Sequence, residues 1–186
     1  MHKIKVGDII RARSIRAVHS SEVFIPAEKR TTHLQFRRYA ACPVCNLHLR
    51  DFVKRHGELV AQGIQEVVVF YSSSNVLRAH LPEAPFALIA DPERLLYQEF
   101  GVETSTTSLT HPASWLPAIR GVLNSGPKLP ERDESVLGLP ADFLIGSDGN
   151  VLALKYGVHA YDQWSFNEVV DLANSFGRPC AVGLPG

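Results

Sequence analysis

The pattern of hydrophobic and polar residues along the chain switches repeatedly between the period of a strand and the period of a helix. Thr32–Arg38 has the pattern of a strand. From Pro43, apolar residues recur at spacings of three and four, which predicts a helix that runs to about Gln62 and stops at Gly63. Ile64–Tyr71 contains EVVVF, a run typical of a strand covered on both faces in a parallel sheet. These elements predict an α/β fold.

The next segments repeat the pattern of strand and helix. Ser72–Ser74 supply a loop and an N-cap for a short helix to Ala79, and Phe86–Ala90 (FALIA) predicts a further strand. Asp91 is an N-cap candidate followed by a proline, which predicts a helix over Arg94–Phe100. The first hundred residues therefore alternate three times between strand and helix, as in a sheet with right-handed crossovers.

The two ends of the chain and one internal stretch depart from this alternation. Residues 1–31 hold two segments with partial period-two alternation, which predicts an N-terminal β-hairpin ahead of the main fold. Residues 102–138 break the pattern and contain several prolines, so we interpret them as an insertion. Leu139–Gly146 and Val151–Tyr156 surround an Asp-Gly turn and predict an antiparallel hairpin, and Ser165–Phe176 follows as a final helix.

Composition limits the classes of protein to which the chain can belong. With 186 residues it is long enough for one full core and short for two, so we interpret residues 1–186 as a single domain. Lysine plus arginine (19) equals aspartate plus glutamate (19), which predicts no attraction to nucleic acid or an anionic membrane. The apolar runs are too short to span a bilayer, and the start of the chain lacks an apolar signal segment. Three cysteines suit a reducing compartment, so we expect a cytoplasmic protein.

The candidate chemistry lies in the segment Cys42-Pro43-Val44-Cys45, between a strand and the first long helix. Cys42 falls at the N-cap or in the first turn of that helix, where unpaired N–H groups and the helix dipole favour an anionic thiolate. Cys45 lies three residues further on the same helical face, so its sulfur can reach that of Cys42 and close a disulfide ring. This arrangement favours redox chemistry.

Two other interpretations of the cysteine pair stay open at this point. The pair could be half of a zinc site in which His48, one turn beyond Cys45, is a third ligand, or it could be two buried structural thiols. The chain contains no second paired-ligand motif, and zinc in proteins usually has four ligands. We therefore expect neither a metal nor another cofactor.

Four segments, in this order, resemble a known family. They are QFRRYAACPVCNLHLRDF, EVVVFYSS, FALIADPERLLYQEFGV and LPADFLIGSDGNVL, and the matching regions span residues 31–101 and 138–176. The chain is similar to thioredoxin-like proteins and, more narrowly, resembles a peroxiredoxin-like member of the alkyl hydroperoxide reductase/thiol-specific antioxidant family. The resemblance implies a thioredoxin-like fold with a central mixed sheet flanked by helices, plus the N-terminal hairpin and the insertion before the Pro140 strand.

The resemblance also implies roles for individual residues. Cys42 matches the nucleophilic cysteine of such proteins, and Cys45 matches the resolving cysteine. Pro140 matches a proline that precedes the central antiparallel strand in a cis peptide and faces the disulfide, so we expect a cis bond there and a place in substrate binding. The alternative is an ordinary trans proline that opens a strand.

Two features of the family are missing from this sequence. Tyr39 stands three residues before Cys42, where peroxiredoxins have a threonine or serine that helps to hold the peroxide, and the arginine before the proline-led strand has no match. Arg37 or Arg38 could supply the positive charge at the substrate, because a nearby cation lowers the pKa of a thiol. The alternative is that both arginines end a strand and point to solvent.

Three functions follow from these observations as hypotheses. The leading one is a thiol-disulfide oxidoreductase of peroxiredoxin-like type: Cys42 attacks a protein disulfide or a hydroperoxide, Cys45 resolves the intermediate, and a cellular dithiol reduces the pair. The first alternative is a thiol peroxidase that reduces hydroperoxides, and the second is a non-catalytic binding module on a thioredoxin-like scaffold. A homodimer could form through the apolar Trp115-Leu116 pair or, as a weaker prediction, through a disulfide at Cys180.

Overall fold

The structure, a computed structural model, describes residues 2–19, 22–102 and 138–176. The strands and helices of these ranges, in chain order, are β1 (Arg13–Ile15), β2 (Val23–Ile25), β3 (Thr31–Arg37), α1 (Pro43–Lys54), α2 (His56–Ala61), β4 (Ile64–Phe70), α3 (Ser74–His80), β5 (Ala87–Ala90), α4 (Leu95–Glu99), β6 (Ala141–Ile145), β7 (Val151–Tyr156) and α5 (Phe166–Phe176).

β3 is the central strand of a five-stranded sheet with the order β5-β4-β3-β6-β7. β3, β4 and β5 are parallel, whereas β6 is antiparallel to β3 and β7 is antiparallel to β6. β1 and β2 pair as a separate antiparallel ribbon. The prediction of a thioredoxin-like α/β fold, with a mixed sheet flanked by helices and an N-terminal hairpin, is therefore confirmed.

Two apolar clusters lie on opposite faces of this sheet. On one face, Phe36 of β3 packs against Tyr97 of α4, with ring centroids 4.9 Å apart in an edge-to-face arrangement. On the other face, Phe52 of α1 meets Phe166 of α5, with ring centroids 5.4 Å apart, over side chains from β4 and β6. Burial of apolar area on both faces is the main favourable term in the folding of such a sheet.

The carboxyl ends of the parallel strands meet the amino end of β6 at one edge of the sheet, which we call the site edge. The backbone N–H of Tyr71, just after β4, donates to the carbonyl of Arg38, just after β3, at 3.0 Å. Ala141, the first residue of β6, pairs with Phe36 near the end of β3. α1 starts from this edge, where loops of open α/β sheets commonly carry binding and catalytic groups.

The structure divides the predicted helix that ends near Gln62 into α1 and α2. The break is at Arg55, whose backbone has φ −108° and ψ 16°. Its guanidinium lies 3.9 Å from the centroid of the Phe166 ring of α5 and donates to the carboxylate of Glu58 in α2 at 2.8 and 2.6 Å. The end of the helical region at Gly63 agrees with the prediction, and the φ of +68° there favours glycine.

The helix predicted over Arg94–Phe100 is shorter and begins one residue later. Arg94 has a left-handed backbone, with a φ of 60°, and therefore lies outside the helix. The carboxylate of Asp91 accepts the first three N–H groups of α4 at 2.9, 2.9 and 3.2 Å. Asp91 thus caps the helix through its side chain from one turn away, and the proline after it does not occupy the first helical position.

The predicted cis peptide before Pro140 is wrong. The Leu139–Pro140 bond is trans, and the cis peptide within the described ranges is Ile25–Pro26. The carbonyl of Pro140 accepts the N–H of Gly157 at 2.9 Å, which continues the pairing of β6 with β7 by one residue. A trans X–Pro bond is favoured by about 0.5–1 kcal/mol unless its surroundings require the cis form, and this pairing is made with the trans form.

Several predicted features lie outside the described residues. They are the 102–138 insertion apart from its two ends, the Trp115-Leu116 pair and Cys180. Within the described ranges, none of the helices is both long and apolar enough to cross a membrane.

We expect Gly157→Ala to destabilise the site edge. A Cβ at this position would lie 2.7 Å from the Pro140 ring and closer still to the backbone carbonyl of Asp162. Overpacking of this kind typically costs about 1–3 kcal/mol. Gly57→Ala in α2, where a Cβ meets nothing within 4 Å, is the matched control and should stabilise the protein by about 0.5–1 kcal/mol. Urea unfolding measures both effects, and equal midpoints for the two variants would contradict the prediction.

Candidate active site

Cys42 lies at the site edge, at the N-terminal end of α1. It is the N-cap residue of this helix, and its Sγ accepts the backbone N–H of Cys45 at 3.4 Å. The sulfur thus receives one of the N–H groups that the start of a helix leaves unpaired, and this interaction favours the thiolate over the thiol.

Arg38 brings a positive charge to the same sulfur. Its Nη2 donates to Cys42 Sγ at 3.0 Å, and the residue is only 4% exposed. The alternative in which Arg38 points to solvent is therefore wrong. Burial alone would lower the pKa of Arg38, because it disfavours the charged guanidinium. The negative charges of Cys42 and Cys45 outweigh this effect and raise the pKa of Arg38 above its usual value.

Neighbouring elements hold the loop that carries Arg38 and Cys42. The N–H of Ala40 donates to Ser72 Oγ at 2.7 Å, and the carbonyl of Ala40 accepts from Asn46 Nδ2 at 3.1 Å. The loop between β3 and α1 is thus fixed from two sides, by the segment after β4 and by the first turn of α1. Support of this kind keeps a reactive group and its charged partner in place.

The two thiols titrate as a pair because they share a hydrogen bond. Burial, followed by the contact with Cys45, raises the pKa of Cys42 well above its usual value. The hydrogen bond with Cys42 lowers the pKa of Cys45 to about 6; burial opposes this shift, and the charges of Arg38 and Arg37 support it. The pair therefore loses one proton readily and holds the second.

Both sulfurs are enclosed by protein. Cys42 is 0% exposed and Cys45 is 2% exposed, and Tyr39 and Ala41 pack around them. Any oxidant therefore needs a local opening to reach the sulfurs, and a small molecule needs a smaller opening than a disulfide on another protein. The enclosure therefore suits a small oxidant.

Arg37 points away from solvent as well, but into the face of the sheet that α1 covers. Its Nη2 donates to Asp142 Oδ1 at 2.7 Å, donates to Gln35 Oε1, and lies 3.2 Å from Nε2 of His48 on α1. Arg37 is fully buried. The structure therefore places Arg38, and not Arg37, at the sulfur of Cys42.

Arg37 belongs to a cluster of polar side chains that we call the buried network. Its members, none more than 8% exposed, are His33, Gln35, Arg37, His48, Glu66 and Asp142. His33 lies between two carboxylates, with Nδ1 2.8 Å from Glu66 Oε2 and Nε2 3.3 Å from Asp142 Oδ1. Gln35 donates to Glu66 at 2.6 Å and accepts from Arg37. Such pairing is required because an isolated buried charge costs several kcal/mol.

The charges of the buried network shift the pKa values of its members. Burial by itself lowers the pKa of His33, but the charge of Glu66 and the hydrogen bonds with Asp142 and Glu66 raise it to about 9. Burial disfavours the ionised form of Asp142, yet the charge of Arg37 and the contact with His33 hold its pKa far below the usual range. His33 is therefore an imidazolium at neutral pH, and the two carboxylates are balanced by two cations.

His48 has a different position from the one that a zinc site requires. Burial, followed by the charge of Arg37, lowers the pKa of His48, so its imidazole is neutral and Nε2 accepts from Arg37. This nitrogen faces a cation, so the interpretation of His48 as a third zinc ligand beside the cysteines is wrong. In the described part of the chain, no group of three or more His, Cys, Asp or Glu side chains is placed to hold a metal.

The buried network was not predicted from the sequence, although the sequence contains a signal for it. His33, Gln35 and Arg37 recur at every second position of a strand, so one face of that strand is entirely polar. Polar side chains on a central strand need partners, and Glu66 and Asp142 were available on the flanking strands. The register that brings them together, with His33 beside Glu66 and Gln35 beside Asp142, is visible only in the structure.

Pro140 lies at the site edge, immediately before β6. Because Ala141 pairs with Phe36, Pro140 is the next position in register, opposite Arg37. The ring of Pro140 packs against Gly157. The structure thus brings Pro140 to the same edge as the cysteines, and the contact observed for its ring is with the turn after β7.

Comparisons with known proteins agree with this fold. A family model described as AhpC/TSA family matches residues 14–154, from β1 into β7. A search of curated protein sequences finds no match.

Solved structures with similar folds include several thiol proteins. Peroxidoxin BcpB from Mycobacterium tuberculosis has a TM-score of 0.68 at 12% identity, covering 95% of this chain and 100% of that chain. Peroxiredoxin 6 of Arenicola marina has a TM-score of 0.69 at 14% identity, covering 93% and 73%. A protein from Chlorobium tepidum described as a thiol:disulfide interchange protein DsbE has a TM-score of 0.60 at 16% identity, covering 92% and 99%. At these identities the similarity shows the fold alone.

We expect the protein to lose stability as the pH rises through about 9, because His33 then loses its proton between two carboxylates. Its pKa is raised from 6.5 to about 9 by folding, so this stabilisation is complete below pH 6.5 and is lost above about pH 9. The shift corresponds to on the order of 3 kcal/mol. His33→Gln should flatten the profile, and His80→Gln, outside the buried network, should not. Urea unfolding on both sides of this interval tests the prediction, and a wild-type profile equal to that of His33→Gln would contradict it.

Proposed function

The chain belongs to the AhpC/TSA family, and from this membership we propose that it is a thiol peroxidase whose redox pair is Cys42 and Cys45. Membership of the family makes the protein a thiol oxidoreductase or a thiol peroxidase. The roles of individual residues and the choice of substrate are the part that we propose.

The observation that carries the proposal is the convergence of two donors on the sulfur of Cys42. Arg38 Nη2 donates to it at 3.0 Å and the Cys45 N–H at 3.4 Å. The lower pKa of Cys45 favours the opposite assignment, with Cys45 as the resting thiolate. We assign the attack to Cys42 all the same, because it is the N-cap residue of α1 and matches the nucleophilic cysteine of the thioredoxin-like motif. Cys42 is then the nucleophile, and Arg38 supplies its cation.

The reaction runs in two steps within the pair. The Cys42 thiolate attacks one oxygen of a hydroperoxide and breaks the O–O bond, which leaves a sulfenic acid on sulfur and an alkoxide or hydroxide that takes up a proton. The Cys45 thiolate then attacks the oxidised sulfur, the S–OH bond breaks, and the hydroxide leaves as water after protonation. The product is a Cys42–Cys45 disulfide, which a dithiol reduces by two successive exchanges.

A hydroperoxide is the substrate that the enclosure of the sulfurs favours. Cys42 is 0% exposed, so every substrate requires a local opening of the site, and a hydroperoxide requires a smaller one than a protein disulfide. The guanidinium of Arg38 lies beside the reacting sulfur, where it can donate to the oxygen on which negative charge develops. This arrangement compensates for the threonine or serine that Tyr39 replaces.

Thiol-disulfide exchange is the second candidate. Two cysteines separated by two residues at the start of a helix are the arrangement that such exchange uses. This function requires that Cys42 become accessible to a disulfide, for which its burial is unfavourable. A non-catalytic binding module is set aside because the chain belongs to a family of thiol enzymes.

Partners and place in the cell follow from the same chemistry. The disulfide needs a cellular dithiol of the thioredoxin type as reductant, and a reducing compartment such as the cytoplasm supplies it. Pro140, at the site edge, is proposed to line the approach of this reductant or of the substrate.

Reduced protein should consume one equivalent of hydrogen peroxide rapidly and lose two hydrogens as the disulfide forms. Cys42→Ser should abolish the rapid reaction, whereas Cys45→Ser should retain it and leave a sulfenic acid at Cys42 that dimedone traps. Cys180→Ser, outside the pair, is the control. Peroxide consumption and intact mass are measured together. Consumption no faster than that of a free thiol, with rapid oxidation by a small disulfide, would favour the second candidate instead.

Removal of the cation should slow the attack by raising the pH at which the thiolate forms. We expect Arg38→Met to reduce the rate of peroxide consumption near neutral pH by about tenfold or more, since one pKa unit changes the thiolate fraction about tenfold. Arg38→Lys should retain part of the rate, and Arg13→Met, which breaks a surface ion pair with Glu99, should retain all of it. The pH dependence of the rate measures the shift. Identical profiles for Arg38→Met and the wild type would exclude this role.

A further inference from the structure

Arg37 and Arg38 are adjacent in sequence but contact different parts of the molecule. Arg38 contacts the sulfur of Cys42, whereas Arg37 enters the buried network under α1. We propose that Arg37 is a positioning residue for the resolving step, because it ties α1 to the sheet at His48, about one turn after Cys45, and its positive charge acts on Cys45. This inference rests on the proposed function of the cysteine pair.

Successive turns of α1 lie over successive polar residues of β3. The ring of Phe52 stacks on His33 with centroids 5.7 Å apart, and His48, one turn earlier, contacts Arg37 through Nε2 at 3.2 Å. The helix therefore runs antiparallel to β3 along its polar face. Cys45 lies three residues, almost one further turn, before His48 and so beyond Arg37 toward the site edge. Arg37 is the member of this row closest along the helix to Cys45.

The guanidinium of Arg37 is held by acceptors from three elements. Nη2 contacts Asp142 of β6, Gln35 of β3 and His48 of α1, and Nη1 donates to the carbonyl of Phe36 at 3.1 Å. A guanidinium is planar and always charged, so it can bind several acceptors at fixed angles. Arg37 thereby joins the helix that carries Cys45 to two strands of the sheet.

The resolving step requires Cys45 as a thiolate after Cys42 has been oxidised. In the reduced pair, the largest influence that lowers the pKa of Cys45 is its hydrogen bond with the Cys42 thiol, and the charges of Arg38 and Arg37 add to it. Oxidation of Cys42 to a sulfenic acid removes that thiol. The charges of the two arginines then remain as the influences that lower the pKa of Cys45. Arg38 also acts on Cys42, whereas the contacts of Arg37 lie on the side of α1 that Cys45 shares. Arg38 therefore acts on both sulfurs, and on Cys45 more strongly than Arg37 does, whereas Arg37 acts on Cys45 and not on Cys42.

Oxidation by dithiodipyridine separates the two steps without a peroxide. The Cys42 thiolate breaks the S–S bond of the probe, which forms a mixed disulfide and releases one thiopyridone. The Cys45 thiolate then attacks the Cys42 sulfur, closes the disulfide and releases the second thiopyridone. In a Cys180→Ser background only the pair reacts, so the first release measures attack and the second measures resolution.

The paired substitution of Arg37→Gln with Asp142→Asn removes one positive and one negative charge and leaves the ion pair of His33 with Glu66 in place. We expect the second release to slow by about tenfold near neutral pH, with its pH midpoint about one unit higher, while the first release changes less than about threefold. The single substitution Arg37→Lys keeps the positive charge, so the second thiopyridone should be released at most of the unsubstituted rate. Arg13→Gln is the surface control.

Outcomes that overturn the inference differ from those that overturn the proposed function. An unchanged second release in the paired variant, or equal slowing of both releases, would exclude the role of Arg37 and leave the redox pair intact. A Cys180→Ser protein with no other substitution that releases a single thiopyridone has no resolving step, which would overturn the proposed function and this inference together. If the paired variant does not fold, His48→Leu replaces it: this change breaks the contact with α1 but keeps the charges, and an unchanged second release would again exclude the role.

Discussion

Buried charge along one face of β3 is the constraint on which the rest of the structure depends. His33, Gln35 and Arg37 lie under helices and away from water, so each needs a partner inside the protein. Glu66 and Asp142 provide these partners from the strands on either side. A shift of one residue in register would turn every side chain to the opposite face and leave these charges unpaired. The polar face therefore specifies how β3, β4 and β6 align, and with them the site edge.

The same constraint explains why charge and reactivity meet at Cys42. Arg38 follows the last residue of β3 and is nearly as buried as the strand, so its guanidinium also requires an internal partner. The sulfur of Cys42 provides one, and it does so best when it is ionised. Stabilisation of the buried arginine and activation of the thiol are thus one interaction. The cation thus belongs to the reactive loop itself, four residues before the sulfur that it contacts.

The sequence predicted what local pattern and motif order determine. The period of apolar residues gave the strands and most helix bounds, and the cysteine pair was correctly placed at a helix start because it follows a strand and opens an amphipathic segment. Features set by contacts between distant residues were not predictable. Arg55, at the break between α1 and α2, lies over the ring of Phe166, and the carbonyl of Pro140 pairs with Gly157 in the turn after β7. The buried network required the register of three strands, which no local pattern contains.

The support of the reactive loop has a consequence for protein design. The backbone of Ala40 is held by Ser72, which follows β4, and by Asn46, which follows the second cysteine. A Cys-Pro-Val-Cys segment transplanted alone onto another thioredoxin-like scaffold would start a helix and bring two sulfurs together, but it would arrive without its cation and without these two supports. The smallest unit that can be transplanted with its chemistry is therefore discontinuous in sequence: the end of β3 with Arg38, the first turn of α1, and the serine after β4.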